Sequence, residues 1–439
     1  MRASLNQESG PGRATSRDGT PVGSPRAPLR IAFFSSFYPR SERLGSVSTS
    51  LVWVLSRDPD VGRVDLFVNT NSRLPPGFDS SRVVLHPTWE YDRLGTLVGT
   101  LLRMLRATPH TDLFIFNIYV TSFGRRPLVN ALGLVLPVFV RRFSGKPTLA
   151  YVHNLVETQD VQRLGYAQGS IEVRLARILE GFLIRHVTTV VPLESQRIAI
   201  ERNLGLAVKS LTLPYMEGIY PAAQAHPDES APPSEAPNAE VRVLFFGFWG
   251  PQKDLVGFLR AIAGRVRGSP GTRVTVAGAV NPAFPEYQAT FDAARREFAS
   301  DRTRFVGPVP EERVFDLFLA SDLLVLPYRA TGGLSGVMTI GALAGLVVVA
   351  PDLPQLGELA TALDVRVSPF PVGDAVGMGA AFDAAVEMVR RAGPRSAAAY
   401  RERLGRAETA VRELLLLGRP PLPRASGPVD RPSDHARKN

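Results

Sequence analysis

Apolar positions along this chain occur in two alternating patterns. Short, mostly apolar runs, such as residues 30–35 and 241–246, are typical of strands buried on both faces of a parallel sheet. Longer segments between them, such as 94–106 and 255–267, carry apolar residues every three or four positions and therefore predict amphipathic helices. The regular alternation predicts an α/β fold built from parallel, doubly wound sheets.

Composition divides the chain into two folded halves and two tails. Residues 1–28 and 419–439 are rich in Gly, Pro, Ser and Arg, so both are predicted to be disordered. Residues 221–240 contain five prolines and four acidic residues but no Lys or Arg, which predicts an interdomain linker. The linker would separate an N-terminal domain at 29–220 from a C-terminal domain at 241–400.

A glycine-rich segment at residues 332–336 carries the strongest chemical signal. Glycines let the backbone approach a ligand, and Ser335 can cap a helix whose free N–H groups and positive end favour a phosphate. The apolar run at 345–351 predicts a buried strand after that helix. Ser335 and Gly336 are therefore candidate phosphate ligands, although a plain turn with a helix cap explains the same residues.

A glycine turn followed by a lysine opens the second domain. The predicted strand at 241–246 ends at Gly247, and Lys253 follows shortly after it. The compact ammonium group of Lys253 would reach a diphosphate from there, and Arg329, just beyond another predicted strand, is a second candidate. Both residues are equally explained as surface cations.

The order of these motifs resembles the donor-binding domain of the group 1 GT-B glycosyltransferases. The resemblance implies two Rossmann-like domains facing each other across a cleft, with a last helix at 401–418 crossing back onto the first domain. It also implies transfer of a hexose from a nucleoside-diphosphate sugar to a hydroxyl of a saccharide or lipid-linked acceptor, as in polysaccharide or glycolipid assembly. In that family the lysine corresponding to Lys253 binds the donor diphosphate.

The first domain offers candidates for acid–base chemistry. His153 follows the predicted strand at 148–152, and the resemblance places a histidine here at the cleft. Glu157 and Asp160 are the nearest carboxylates that would serve as a general base. An acidic first turn of a helix explains these two carboxylates equally well.

The pair of glutamates found in retaining members of the resembled group is missing. No Asp or Glu lies between Asp322 and Asp352, and the expected positions are occupied by residues 330–333 and by Ile340 or Gly341. The stereochemistry of transfer therefore stays open. An alternative hypothesis is a degenerate homologue that binds a nucleotide or a partner without catalysis.

Several other classes are disfavoured by what the sequence lacks. There is no cysteine for thiolate catalysis or zinc binding, and no Gly-x-Gly-x-x-Gly motif follows the first strand as in a dinucleotide-dependent oxidoreductase. The only Gly-Lys pair is followed by proline, which excludes a Walker-type kinase. No metal site is predicted, and the nucleotide sugar is expected to be a co-substrate without any further cofactor.

The basic charge of the chain is concentrated in its first half. Residues 29–220 carry 22 basic and 15 acidic residues, a net charge of +7 out of the total of +10, whereas residues 221–418 carry −2. This excess predicts an anionic partner such as an acidic membrane surface, although an arginine-rich composition in general explains it equally well. Because the basic residues are not interleaved with aromatic ones, a nucleic-acid partner is not predicted.

The N-terminal region contains no apolar stretch typical of a signal peptide, and the apolar segment at 127–140 is short and interrupted by Pro137. A cytoplasmic protein is therefore expected, with peripheral contact at the inner face of the membrane.

Overall fold

Two parallel β-sheets organise the chain. The computed structural model describes residues 27–39, 44–120, 122–158, 170–225, 240–269, 271–331, 333–392 and 395–419, without the side chain of Glu172. The predicted disorder of the two tails concerns residues that lie almost entirely outside these ranges.

The first sheet contains seven parallel strands, all within the described part of the chain. They are β1 (Leu29–Phe34), β2 (Val61–Asn69), β3 (Val83–Trp89), β4 (Leu113–Ile118), β5 (Thr148–Val152), β6 (Thr188–Val191) and β7 (Lys209–Ser210). The helices of this half are α1 (Gly45–Arg57), α2 (Leu94–Ala107), α3 (Pro127–Ser144), α4 (Ile171–His186), α5 (Glu194–Leu204) and α6 (Ile219–Ala225). The strand order is β3-β2-β1-β4-β5-β6-β7.

The second sheet contains six parallel strands and repeats the same plan. They are β8 (Val241–Phe246), β9 (Thr272–Ala277), β10 (Thr303–Gly307), β11 (Leu323–Val325), β12 (Val347–Pro351) and β13 (Val367–Phe370). The helices are α7 (Leu255–Gly268), α8 (Tyr287–Phe298), α9 (Glu311–Leu319), α10 (Gly336–Leu343), α11 (Pro354–Leu363), α12 (Ala375–Arg391) and α13 (Ala397–Gly418). The strand order is β10-β9-β8-β11-β12-β13.

Each sheet reverses its direction of growth once. In the first sheet, β2 and β3 lie on one side of β1, and the chain then returns to place β4 on the other side. In the second sheet, β9 and β10 lie on one side of β8, and β11 lies on the other side. Every residue of β4 and β5 is buried because helices cover both faces of the first sheet. In doubly wound sheets, ligands bind beyond the carboxyl ends of the strands at such a reversal. Ligand sites are therefore expected at the carboxyl ends of β1 and β4 and of β8 and β11.

The helix α3 is the one described helix whose length and mean hydropathy of 1.2 would allow it to cross a bilayer. Eight of its 18 residues are buried, and it packs between α2 and α4 and against β5. It therefore serves as a core helix of the first domain, and Gly145, with φ of 67°, ends it in the left-handed conformation that favours glycine.

The last helix, α13, contacts both halves of the molecule. Arg403 donates to the carbonyl of Leu343 at the end of α10, with Nε 3.1 Å from the oxygen. Arg412 pairs with Asp58 after α1 at 2.8 Å, and Arg419 pairs with Asp60 at 3.2 Å. Asp58 and Asp60 form an Asp-x-Asp sequence that is often seen in metal sites, and here both carboxylates hold arginines of the C-terminal segment.

The predicted linker at 221–240 begins inside a helix. Its first residues belong to α6, and residues 226–239 lie outside the described ranges. Pro221 stands in the first turn of α6, where proline is tolerated because a backbone N–H there would have no helical partner. The strands β7 and β13 and the helix α11 are further elements that the sequence pattern did not predict.

Candidate active site

Three consecutive strands of the second sheet end in glycines. Gly247, Gly278 and Gly307 follow or end β8, β9 and β10 and have φ of 133°, 110° and 70°, a region that favours glycine. A β-carbon on Gly278 would overlap the carbonyl oxygen of Gly247. These three positions therefore project no side chain of their own at the carboxyl edge of this sheet.

Lys253 lies over this edge at the reversal between β8 and β11. Its Nζ is 2.6 Å from the position that a β-carbon on Gly247 would take. The ammonium group lies 5.3 Å from the ring centroid of Trp249 and 5.2 Å from that of Tyr328, within the range of cation–π contacts. Burial lowers the pKa of Lys253 to about 8. No carboxylate among the described residues forms an ion pair with it.

The start of α10 faces the same point. Ser335 caps this helix by accepting a hydrogen bond from the Met338 N–H at 3.2 Å, and its hydroxyl lies 3.0 Å from that of Tyr328. A methyl carbon of Val337, in the first turn, lies 3.7 Å from the same hypothetical β-carbon of Gly247. The positive end of α10 and the Lys253 ammonium thus converge, as an anion site requires.

Arg329 does not join this arrangement. Its guanidinium pairs with Asp254 at 3.1 Å and is 58% exposed. Asp254 also caps α7 by accepting the Gly257 N–H at 3.1 Å. The geometry therefore does not support the prediction that Arg329 binds the diphosphate, because its nearest anion already belongs to the protein.

A polar network occupies the reversal point of the first sheet. His153 Nε2 lies 2.7 Å from Asn117 Oδ1, and Asn117 Nδ2 donates to Ser48 Oγ at 2.9 Å. Ser48 in turn donates to Ser35, at the end of β1, at 2.7 Å. The amide nitrogen of Asn117 donates to Ser48, so the side-chain oxygen of Asn117 is the atom that faces His153 and accepts a hydrogen bond from it. His153 therefore carries its hydrogen on Nε2.

The imidazole of His153 is therefore held in one orientation and one tautomer. Tyr119 stacks on it with ring centroids 5.3 Å apart, and Tyr151 contacts its edge. Burial lowers the pKa of His153 to about 3, so the ring is neutral at physiological pH. It presents Nδ1 as a hydrogen-bond acceptor, and a neutral ring of such low basicity is a poor general base.

Of the two carboxylates predicted to lie near His153, only Glu157 is among the described residues. Glu157 forms an ion pair with Arg177 and accepts a hydrogen bond from Asn203 at 3.1 Å. It does not line the pocket that contains His153. Asp160 lies outside the described residues. We therefore do not retain Glu157 as the base, since its charge is already neutralised by an arginine.

A carboxylate that the sequence did not indicate, Glu217, enters the cleft instead. It lies in a tight turn that begins at Tyr215, where φ is 62° and the carbonyl accepts the Gly218 N–H at 2.8 Å. The Tyr215 hydroxyl donates to the carbonyl of Leu363 in the second domain at 2.9 Å. The turn is thus attached to the second domain, which fixes where Glu217 points.

The carboxylate of Glu217 lies against the first turn of α10. A β-carbon on Gly336 would overlap it. Burial, with a smaller contribution from the negative charge of Glu217, raises the pKa of Tyr328 to about 12. Glu217 is the only charged residue in the apolar stretch 211–220, and this isolated charge is the signal that sequence reasoning missed.

Glu217 and His153 line one pocket between the two domains. Leu334 and Thr339 from the second domain complete its lining. A β-carbon on Gly333 would lie 3.6 Å from the carbonyl oxygen of His153, so the loop before α10 lies against the end of β5. The pocket thus joins a rigid neutral imidazole and a carboxylate to the helix start that faces Lys253.

A second contact between the two domains lies at the start of α5 in the first domain. The carboxylate of Glu358, in α11, accepts the backbone N–H groups of Glu194 and Ser195 at the start of α5, the latter at 3.2 Å. The residue that precedes α5, Leu193, offers no side-chain cap, so Glu358 supplies it from the other domain. Each domain therefore places a glutamate on a helix start of its neighbour.

No protein-family model matches this chain, and no curated protein does. Solved structures match it at low identity. HepE of Anabaena, in complex with UDP-glucose, has a TM-score of 0.58 at 13% identity, covering 88% of this chain and 99% of that chain. Sucrose-phosphate synthase from Thermosynechococcus elongatus has a TM-score of 0.55 at 15% identity, covering 89% and 96%. The chain has the GT-B fold.

The GT-B fold confirms the predicted architecture of two Rossmann-like domains facing each other across a cleft. The fold alone does not decide the reaction. An assigned UDP-N-acetylglucosamine 2-epimerase of Listeria monocytogenes matches with a TM-score of 0.51 at 11% identity, covering 89% of this chain and 95% of that chain.

Proposed function

We propose that this GT-B protein is a glycosyltransferase that moves a hexose from a nucleoside-diphosphate sugar to a hydroxyl of a saccharide or lipid-linked acceptor. The observation that carries the proposal is the Lys253 ammonium, desolvated and without a carboxylate partner among the described residues, facing the start of α10. A diphosphate would place negative charge beside this ammonium and would accept hydrogen bonds from backbone N–H groups at the helix start. The complex of HepE with UDP-glucose supports this class of ligand.

Lys253 and α10 act on the leaving group. As the bond between the sugar and the diphosphate breaks, negative charge grows on the phosphate oxygens. The ammonium and the helix start already point at these oxygens, so they stabilise the transition state without rearranging. Ser335 contributes by ordering the helix start through its cap and its contact with Tyr328. The proposal assigns no cofactor besides the nucleotide sugar.

Glu217 and His153 act on the sugar and the acceptor. The acceptor oxygen attacks the anomeric carbon, its proton passes to the Glu217 carboxylate, and the nucleoside diphosphate leaves. Nδ1 of His153 accepts a hydrogen bond from a sugar hydroxyl, and its network through Asn117 fixes the direction of that bond. The face of the sugar on which attack occurs is not part of the proposal.

A degenerate binding protein is the second candidate. The absence of any carboxylate between Asp322 and Asp352 favours it, because the resembled enzymes carry two there. Glu217 weakens this argument by bringing a carboxylate to the same helix start from outside that segment.

Thermal unfolding with a panel of nucleoside diphosphates and nucleotide sugars tests the proposal. We expect at least one nucleotide sugar to raise the melting temperature, because a ligand at a hundred times its Kd stabilises by about 2.7 kcal/mol. The corresponding nucleoside, which lacks the diphosphate, is the control and should have little effect. Stabilisation followed by transfer to an acceptor supports the enzyme, stabilisation without any turnover supports the second candidate, and no stabilisation by any member contradicts both.

The affinity for the nucleotide sugar should depend on pH through Lys253. Its pKa of about 8 in the free protein means that the ammonium is charged below that pH and loses its proton above it. Affinity measured by calorimetry should therefore be constant from about pH 6 to 7 and should fall as the pH rises through 8. A sugar diphosphate ester is the suitable ligand because its phosphates do not titrate in this range. A flat profile would mean that Lys253 does not contact the diphosphate.

A further inference from the structure

The outer side of α4 is apolar along its whole length. Ile171, Leu175, Ile178 and Phe182 recur at the spacing that places side chains on one side of a helix, and all four are exposed. Ile171 is 80% exposed and Ile178 is 68% exposed. Such a continuous stripe is unusual on a surface helix, where this side normally carries polar residues.

The stripe lies opposite the side of α4 that faces the core. Val173 and Ile184 are buried and lie about half a turn away from the stripe around the helix axis. Folding of the domain thus uses one apolar side of α4 and leaves a second one facing outward. The exposed stripe therefore cannot be explained as the edge of the core.

The neighbouring helices enlarge this surface. On α2, a second exposed stripe is formed by Leu94, Val98 and Leu102, which are four positions apart in the sequence. The helices α2 and α4 flank α3 on one side of the first sheet, and α3 exposes Phe143 near its end. We call the outer sides of α2 and α4, together with the exposed end of α3, the outer helical face.

The charge of the outer helical face is positive. Five arginines of its helices form no ion pair with any described residue: Arg103, Arg106, Arg142, Arg174 and Arg185. The only carboxylates in these three helices are Glu172 and Glu180, and Glu180 is buried. A second copy of the chain would bring like charges together, which disfavours self-association through this face.

We propose that the outer helical face docks on an anionic lipid surface. Apolar side chains on one side of a helix, flanked by arginines, fit the boundary between acyl chains and negatively charged headgroups. Because α4 follows β5 in the chain, it starts at the carboxyl edge of the first sheet, the edge that also holds His153. If the proposed transfer is correct, this orientation brings a lipid-linked acceptor toward the cleft, but docking itself does not depend on it.

The two arginine pairs beside α3 are not the centre of this surface. The pairs Arg125-Arg126 and Arg141-Arg142 flank α3 and are the obvious basic sites in the sequence. In the structure Arg126 pairs with Asp92 at 3.2 Å, and Arg141 donates to the carbonyl of Lys146 at 2.8 Å. Two of these four arginines are thus engaged within the protein, and the centre of the proposed surface moves to α4.

Co-sedimentation of the full chain with vesicles tests the proposal. The wild type should bind vesicles that contain phosphatidylglycerol, should not bind pure phosphatidylcholine vesicles, and should be released by high salt. Ile178→Glu with Phe182→Glu should reduce binding at least about tenfold, because both charges would enter the apolar layer. Val376→Glu is the matched control, since Val376 is 81% exposed on α12 of the second domain, and should leave binding unchanged.

A second variant separates charge from apolar contact. Arg174→Glu with Arg185→Glu should reduce binding to the anionic vesicles by a similar factor. Each variant should keep the wild-type melting temperature and nucleotide affinity, because the changed residues are exposed and distant in sequence from the cleft residues. Binding that persists in both variants, or that is equal for neutral vesicles, overturns the proposal. So does a dimer in solution that the Ile178→Glu, Phe182→Glu variant dissociates.

Discussion

Glu217→Gln is expected to lower the rate of sugar transfer by about 10²- to 10⁴-fold while affinity for the nucleotide sugar stays nearly unchanged. An amide has almost the shape of the carboxylate and can keep its place against Gly336, but it cannot take the proton of the acceptor hydroxyl. The loss should therefore appear in kcat. Initial rates of nucleoside diphosphate release with saturating acceptor provide the measurement.

Glu157→Gln is the matched control for this experiment. Glu157 belongs to the same domain and was one of the two candidate bases expected from the sequence, but its charge is paired with Arg177. Its amide variant should transfer sugar at close to the wild-type rate. If Glu217→Gln is fully active, or if the loss is found in Glu157→Gln instead, the assignment of Glu217 as the base is wrong.

Lys253→Ala should weaken binding of the nucleotide sugar by roughly ten- to a hundredfold, since a charge-assisted contact typically contributes about 1.5 to 3 kcal/mol. Lys253→Met separates charge from packing, because methionine fills the space between Trp249 and Tyr328 without the ammonium. It should lose nearly as much affinity as the alanine variant. Isothermal titration with the sugar diphosphate that stabilises the protein measures both.

The same two variants give an independent readout in the absence of ligand. A desolvated cation without an anionic partner destabilises the folded state, so Lys253→Met should unfold at the wild-type temperature or above it. Arg329→Ala is the control cation at the rim of the cleft, and it should change nucleotide affinity by less than about threefold because Arg329 is paired with Asp254. Wild-type affinity in Lys253→Met would remove the main support for the diphosphate site.

The sequence was sufficient for most strands of the two sheets because these strands are buried on both faces. The strands β5, β6 and β8 begin and end where the sequence pattern predicted, since a buried parallel strand is mostly apolar on both of its sides. The glycine at 247 and the serine at 335 were also readable, because a left-handed turn and a helix cap are local requirements. Features set within a few residues of the chain are thus visible in the sequence.

The rest of the site depends on contacts between residues that are distant in the chain. Nothing near Glu217 indicates that its turn is attached to Leu363 and that its carboxylate reaches α10. Similarly, Arg329 looks free in the sequence, and only the fold places Asp254 beside it. Pairings across a domain boundary and the neutralisation of one charge by another are products of tertiary structure, so local patterns do not contain them.

Any side chain at position 336 would overlap the carboxylate of Glu217. The residue types at these two positions, which are far apart in the chain, should therefore depend on each other during evolution. If Glu217 acts from its place against α10, a lineage that keeps this glutamate should also keep glycine at 336, because a methyl group there would push the carboxylate aside. A lineage that replaces Glu217 by a smaller residue is released from this constraint and is free to accumulate side chains at 336. Substitutions at the two positions should therefore occur together among relatives, with the change at 217 coming first.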